Sequence, residues 1–223
     1  MDERLTLAAA MYAPCEVGAD IGTDHGLLPC HLLRAGICRR MILADVSDLA
    51  LNKARAQVAR QHLTDRARIV CADGLDALAE PVGCVSITGM GGETMADILR
   101  TGADKLCGAV LVLSAHTDLH LVRKAVMDVG YHFTQERLCR AAGRFYLVWR
   151  AEQGQVAYTE DELALGTSLL TAGSDLLLPD YLAWRLRVTQ RKLDGLRTAS
   201  QPDAAAIARL EHHIDLLRRY LPC

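Results

Sequence analysis

The chain has 223 residues, 51% of them hydrophobic, with a formal net charge of -2 and a pI near 6.4. That length and apolar content can bury one main core with room for a small appendage, and the charge balance excludes binding to nucleic acid through overall basicity. The eight cysteines, at positions 15, 30, 38, 71, 84, 107, 139 and 223, include no C-x-x-C pair, and no signal-peptide pattern precedes them. No apolar run approaches the ~20 residues that span a bilayer, so the expectation is a reduced, cytoplasmic chain without a membrane anchor.

Apolar runs alternate with helical patterns in the order of a parallel sheet with crossover helices. Val17 to Ile21 reads as the first strand, followed by a glycine-rich turn and a helix from about Leu27, with Pro29 in its first turn. Met41 to Ala44 is the second strand, and Leu49, Ala50, Ala54, Val58 and Gln61 then recur at helical spacing. Ile69 to Ala72, Cys84 to Thr88 and Ala109 to Leu113 supply three more strands, and Val122 to Val129 a helix stopped by Gly130. Tyr131 to Arg137 and Phe145 to Arg150 flank a turn at Ala142-Gly143-Arg144, an antiparallel hairpin. Parallel strands closed by such a hairpin describe a class I methyltransferase sheet, an α/β Rossmann-like fold, better than a plain dinucleotide-binding domain.

From about Thr159 the pattern is helical only. Leu163, Leu169 and Leu170 precede a break around Gly173 to Pro179. Leu182, Leu186, Thr189, Leu193 and Leu196, then Ile207, Leu210, Ile214, Leu217 and Leu221, form two heptad-like stripes around Ser200-Gln201-Pro202-Asp203. The expected division is a main domain over residues 1–154 and a helical coiled-coil hairpin over 155–223. The hairpin either packs on the sheet domain or on a second copy, leaving a monomer or a homodimer open.

Chemistry concentrates at the predicted strand ends, where ligands of open α/β sheets bind. The first turn reads Asp20-Ile21-Gly22-Thr23-Asp24-His25-Gly26, D-x-G-x-D-x-G in place of the dinucleotide G-x-G-x-x-G. Its two glycines permit a tight turn and close backbone approach, while its two carboxylates repel a pyrophosphate and suit a cation. S-adenosylmethionine, with a sulfonium and an ammonium, is such a ligand. Asp45 at the second strand end can accept ribose hydroxyls, and Asp73-Gly74 at the third can accept from an adenine amino group. Thr88-Gly89-Met90-Gly91-Gly92 closes the fourth strand with backbone groups exposed to ligands. A single terminal Asp-Gly is an ordinary turn; four such ends in register are not. His116-x-x-x-His120 has helical metal-ligand spacing but no third ligand nearby, so no metal is expected.

These residues, with Leu28-Pro29, Ala44-Asp45, Ala72-Asp73-Gly74-Leu75 and Gly143-Arg144-Phe145-Tyr146, resemble the bacterial tRNA (adenine-22-N1)-methyltransferase family over almost the whole chain. The resemblance implies a class I methyltransferase domain with a C-terminal coiled coil, S-adenosylmethionine as cofactor and tRNA as partner. It implies further that Asp20, Gly22, Asp45, Asp73 and Gly89 belong to the cofactor site and that Asp24 is the catalytic residue. Thr23, His25, Gly26, Val46, Gly74, Met90 and Gly91 lie in the same turns and complete the expected cofactor set. Where the family carries Leu-Gln-Pro and a polar residue, this chain reads Leu113-Ser114-Ala115-His116.

Adenine N1 is neutral at pH 7 and can attack a methyl sulfonium without a strong base. A carboxylate at Asp24 can accept from the exocyclic amine, aim N1 and stabilise the growing ring charge; the alternative is that Asp24 caps the following helix or holds the cofactor. Gly92, Ser114 and His116 are expected on the substrate side. Arg185, Arg187, Arg191 and Lys192 form a basic stretch that follows a tRNA backbone or is simply a solvated helix face. Methylation of another nucleic acid or a small molecule, and a non-catalytic cofactor-binding interaction protein, remain open.

Overall fold

The computed structural model describes residues 1–166, 175–199, 201 and 203–221. Leu169, Leu170, Gly173, Ser200 and Pro202, named above, lie outside the described residues. The chain divides into two compact units, Met1–Ala157 and Tyr158–Cys223.

The first unit opens with helix α1 (Glu3–Met11), for which the sequence pattern gave no expectation. Asp2 caps it, accepting the Leu5 N–H at 2.9 Å, and the alanine-rich run that follows favours helix. It buries only Ala8, Ala9 and Met11, too small a stripe to register as amphipathic.

Strands β1 (Cys15–Ile21), β2 (Cys38–Asp45), β3 (Ala67–Cys71), β4 (Cys84–Met90) and β5 (Val110–Ala115) are parallel. Strand β7 (Arg144–Gln153) joins the free side of β5 antiparallel and carries β6 (Tyr131–Ala141) beyond it, giving the order β3-β2-β1-β4-β5-β7-β6. The strand order reverses between β1 and β4, so their carboxyl ends diverge and open a crevice. Helices α2 (Leu27–Arg34), α3 (Asp48–Arg60), α4 (Gly92–Thr101) and α5 (Leu119–Asp128) make the crossovers.

In α3 the buried set is Leu51, Ala54, Gln57 and Val58, whereas Leu49 is 74% exposed and Gln61 lies past the last turn. The Ser47 cap, whose Oγ accepts the Ala50 N–H at 3.3 Å, fixes the helix phase. Residues two apart point to different faces, so burying Leu51 expels Leu49. The hairpin turn holds Ala142 at φ 49° and Gly143 at φ 75°, the primed geometry that matches strand twist, and its strands run longer than the sequence suggested.

A buried charge network fastens this hairpin. Arg123 of α5 donates to Glu136 of β6 at 2.5 Å, Trp149 Nε1 of β7 donates to the same carboxylate oxygen at 2.7 Å, and the guanidinium stands 5.3 Å from the Trp149 ring centre. Both charged side chains are 1% exposed.

The second unit begins with α6 (Glu160–Leu165), opened by a reciprocal capping box between Thr159 and Glu162. Helices α7 (Leu178–Arg197) and α8 (Ala204–Tyr220) pack against each other, with Leu182, Thr189 and Leu193 of one and Ile214, Leu216 and Leu217 of the other buried.

Removing one member of a buried pair leaves the other desolvated. Glu136→Ala should therefore cost about 3–5 kcal/mol in urea unfolding, and replacing Arg123 and Glu136 together by leucine much less. A Glu136→Ala loss under about 1 kcal/mol would show that the pair does not hold the hairpin.

Candidate active site

The turn after β1 is stitched to its neighbour. Gly22, at φ 77°, and Thr23 both donate their N–H groups to the Ala44 carbonyl, at 2.8 and 3.0 Å, which fixes the turn to the end of β2. Those two donors are thereby taken. Gly26, at φ 62°, begins α2 with no side-chain cap, so donors that the turn can offer a ligand are those of the helix's first turn. Asp24 does not cap α2. Its carboxylate instead accepts from Lys53 Nζ of α3 at 2.8 Å and lies 3.0 Å from His25 Nε2, with both side chains of each pair about half exposed.

Asp20 has the opposite environment. It is 6% exposed at the divergence of β1 and β4, and its Oδ1 accepts the Ser86 hydroxyl at 2.6 Å. Burial raises its carboxyl from the usual 3.8 to about 6 against the Ser86 and Thr23 hydroxyls and the positive charge of Arg4, with Asp45 adding to the rise. Tyr12, just past α1, donates to the Ala19 carbonyl at 2.7 Å and holds the adjoining backbone.

Between pH 3.8 and about 6 the folded chain binds the Asp20 proton more tightly than the unfolded chain does. Stability from this group is therefore full below 3.8 and falls as pH rises through 6, by on the order of 3 kcal/mol. Thermal unfolding of wild type and Asp20→Asn from pH 4 to 7 should show the variant gaining on wild type across that window. A constant difference between the two would contradict the buried, raised carboxyl.

The remaining strand ends converge on the same edge. Asp45 ends β2 with Oδ1 accepting the Ser47 N–H at 2.8 Å, beside exposed Val46. Asp73 is exposed before a short turn, and the buried Gly74, at φ 50°, makes room for Ile98 of α4, a Cβ there coming within 3.2 Å of that side chain. At the end of β4 the pairing with β5 shifts register between Thr88 and Met90. Met90 covers Gly22, where a Cβ would meet its Cε at 2.6 Å, so the first and fourth turns are in contact. Gly91 begins α4, and Gly92 lies against the Thr117 and Asp118 carbonyls so closely that a Cβ would collide with both. Ser114 is wholly buried with its Oγ unpartnered, while His116 is exposed, donates its N–H to the Met90 carbonyl at 2.9 Å and meets the Tyr146 ring edge-on at 5.7 Å. Burial, then Arg4 and Arg144, push the His116 imidazole below its ordinary value.

Three residues join this edge to which the sequence reading assigned no site role: Arg4, Lys53 and Tyr146, the last quoted above only for the resemblance. Arg4 reaches it from α1, with its guanidinium 5.5 Å from the Tyr146 ring centre. The basic stretch belongs to the other unit and is itself divided. Arg185 donates to Tyr181 Oη at 2.9 Å and lies 2.8 Å from His213 Nε2, an internal tie, whereas Arg187, Arg191 and Lys192 are exposed. Among the described residues no group of three or more His, Cys, Asp or Glu could hold a metal ion, and no described helix is long and apolar enough to cross a membrane.

Comparison with known proteins agrees with this geometry. A curated tRNA (adenine(22)-N(1))-methyltransferase of Bacillus subtilis (strain 168) is 28% identical over 172 residues, 76% of this chain and 72% of that protein. The crystal structure of the B. subtilis m1A22 tRNA methyltransferase TrmK superposes with a TM-score of 0.87 at 24% identity, covering 100% of this chain and 99% of that one. The structure of M. capricolum TrmK with S-adenosyl-homocysteine gives a TM-score of 0.84 at 20% identity, over 99% and 97% of the two chains. The family model described as a methyltransferase domain matches residues 1–149, and the chain belongs to that family.

Proposed function

We propose that this chain transfers a methyl group from S-adenosylmethionine to N1 of an adenine in tRNA, at position 22, in the cytoplasm. The observation that carries the reading is the contact between the Asp20–Gly26 turn and the Gly89–Met90 end of β4 at the sheet's switch point, in a chain that matches a tRNA (adenine(22)-N(1))-methyltransferase over 76% of its length. The residues suit such a donor: a buried carboxylate at Asp20 for a cation, an uncapped helix start, and acids at the ends of β2 and β3 for hydroxyl and amino groups. When bound, S-adenosylmethionine supplies an electrophilic methyl group on a sulfonium.

The chain's own work is then positioning and charge. Asp20 would hold the ammonium of the donor, Asp45 its ribose hydroxyls and Asp73 its adenine amino group, while Gly89 to Gly91 would present backbone to the reacting centre. Adenine N1 carries its lone pair at neutral pH, so no residue needs to remove a proton before attack. Positive charge grows on the target ring, and Asp24 accepts from the exocyclic amine, fixing N1 and offsetting that charge. Reaching N1 requires an unpaired or extruded base, which favours folded tRNA over a short duplex. Exposed Arg187, Arg191 and Lys192 follow the phosphate backbone.

Incubation with labelled S-adenosylmethionine and unmodified tRNA, followed by nucleoside mapping, should yield 1-methyladenosine at position 22. Another methylated product would replace the substrate assignment, and no product would favour a cofactor-binding interaction protein. Asp24→Ala should lower kcat by about 100-fold or more with S-adenosyl-homocysteine affinity retained; full turnover would remove Asp24 from the mechanism. Neutralising Arg187, Arg191 and Lys192 together should weaken tRNA binding and reduce its log–log salt slope by about 2, leaving cofactor affinity unchanged. Unaltered tRNA affinity would reject that contact.

A further inference from the structure

At the opposite end of the strands from the edge just described, the starts of β1, β2 and β4 gather three thiols, Cys15, Cys38 and Cys84. Cys15 and Cys38 are partners in the parallel register, the Cys15 N–H donates to the Ile37 carbonyl at 2.9 Å, and the two Sγ atoms stand 3.4 Å apart. Cys15 is half-buried, whereas Cys38 is wholly buried. Gly18 leaves room for the Cys38 sulfur, which a Cβ there would meet at 2.9 Å, and Gly83 lies so close to Cys15 that a Cβ on it would stand 2.6 Å from the Cys15 Cβ. Arg66 brings positive charge beside the pair, its Nη2 donating to the Cys38 carbonyl at 3.0 Å. The hydrogen bond from Cys38 lowers the Cys15 thiol against burial, while that same contact, then burial, raises Cys38. Burial pushes Cys84 up to about 12, so it stays a thiol. The thiolate is the nucleophile, and a partly accessible, lowered thiol against a buried, protonated one pairs an attacking cysteine with a resolving one.

We propose that Cys15 and Cys38 form a reversible disulfide site whose oxidant is a small peroxide. The Cys15 thiolate attacks one oxygen of hydrogen peroxide, the O–O bond breaks, and hydroxide leaves with the electron pair, giving a sulfenic acid on Cys15. The Cys38 sulfur then displaces hydroxide from that sulfur, and its proton leaves with the hydroxide as water as the S–S bond closes. The two thiols lose two electrons and two protons in all, and the peroxide takes them up as water. A peroxide suits the site better than a bulky disulfide because only Cys15 reaches solvent, and that only in part. Partners on adjacent strands have Cα atoms about 4.8 Å apart, within the roughly 4.4–6.8 Å that disulfides span, so the bond closes without a change of register. It ties residues 15–38 into one loop that contains the whole Asp20–Gly26 turn and α2, and so stabilises the segment that carries the turn. This site stands apart from the methyl-donor reading and does not depend on it.

Treating the reduced full chain with hydrogen peroxide, alkylating the remaining thiols and mapping its peptides by mass tests the pair. A cross-linked peptide joining Cys15 to Cys38 is expected, two hydrogens lighter than its reduced halves and separated again by dithiothreitol. The oxidised chain should unfold about 5–10 °C above the reduced one. Cys15→Ser, at a half-buried position, should abolish both the cross-link and the shift. Cys38→Ala should leave Cys15 as a sulfenic acid that dimedone captures; if that core variant does not fold, Cys15→Ser carries the test alone. The proposal is overturned if oxidation falls on the exposed Cys71 and Cys107 while Cys15 stays reduced, or if Cys15 joins Cys84 or a second chain instead. A cross-linked chain that unfolds at the temperature of the reduced one would likewise remove the stabilising role.

Discussion

The Asp20 carboxylate is buried where β1 and β4 diverge, and the groups around it determine how the rest of the strand-end edge is assembled. A carboxylate taken from water must be met by donors or positive charge. Ser86 supplies a donor from β4, Tyr12 fixes the backbone beside it, and Arg4 supplies charge from α1. Those partners come from separated parts of the chain, so the helix preceding the sheet is coupled to the strands it covers. Arg150 of β7 extends the coupling by donating to the Met11 carbonyl at the end of α1, at 3.0 Å. The same strand carries Tyr146 against Arg4, and the Arg123–Glu136–Trp149 network holds that strand to α5.

Backbone geometry carries the coupling across the sheet. The register shift after Thr88 turns the Met90 carbonyl toward the His116 N–H, which sets the start of the loop after β5. The close approach of Gly92 to Thr117 and Asp118 then seats that loop on α4. His116 is thereby delivered to the Tyr146 ring in a segment that reads Ser114-Ala115-His116 where the related family carries glutamine and proline. The aromatic edge beside Arg4 is thus built from backbone placement as much as from side-chain choice.

Much of this was legible locally. Apolar runs mark buried parallel strands, and an acid or glycine directly after each run marks its carboxyl end, so Asp20, Asp45, Asp73 and Gly89 could be placed from one sequence. What escaped depends on partners distant in the chain. Helix α1 presents alanines to the sheet, leaving no hydrophobic period to read, and Arg4 within it carried no sign of the strand ends it approaches. The capture of the Gly22 and Thr23 N–H groups by Ala44, and of Asp24 by Lys53, follows from β2 and α3 lying beside the turn. The Ser47 cap, and not the apolar spacing that includes Leu49, sets the phase of α3, and Arg185 reads as an exposed cation in sequence because its Tyr181 and His213 partners are one turn and one helix away.

The two carboxylates of the first turn show why environment must be known before role. Asp20 is sequestered, hydrogen-bonded to Ser86 and near a guanidinium that it does not bond, so an arriving cation gains a strong interaction in a low-dielectric setting. Asp24 is half exposed and already shared by Lys53 and His25. An exposed ion pair is worth about 0–1 kcal/mol, so another donor can take the place of Lys53 on Asp24 at little cost. One turn of seven residues therefore holds one sequestered carboxylate and one exchangeable one, and that difference arises from the strands and helices that flank it.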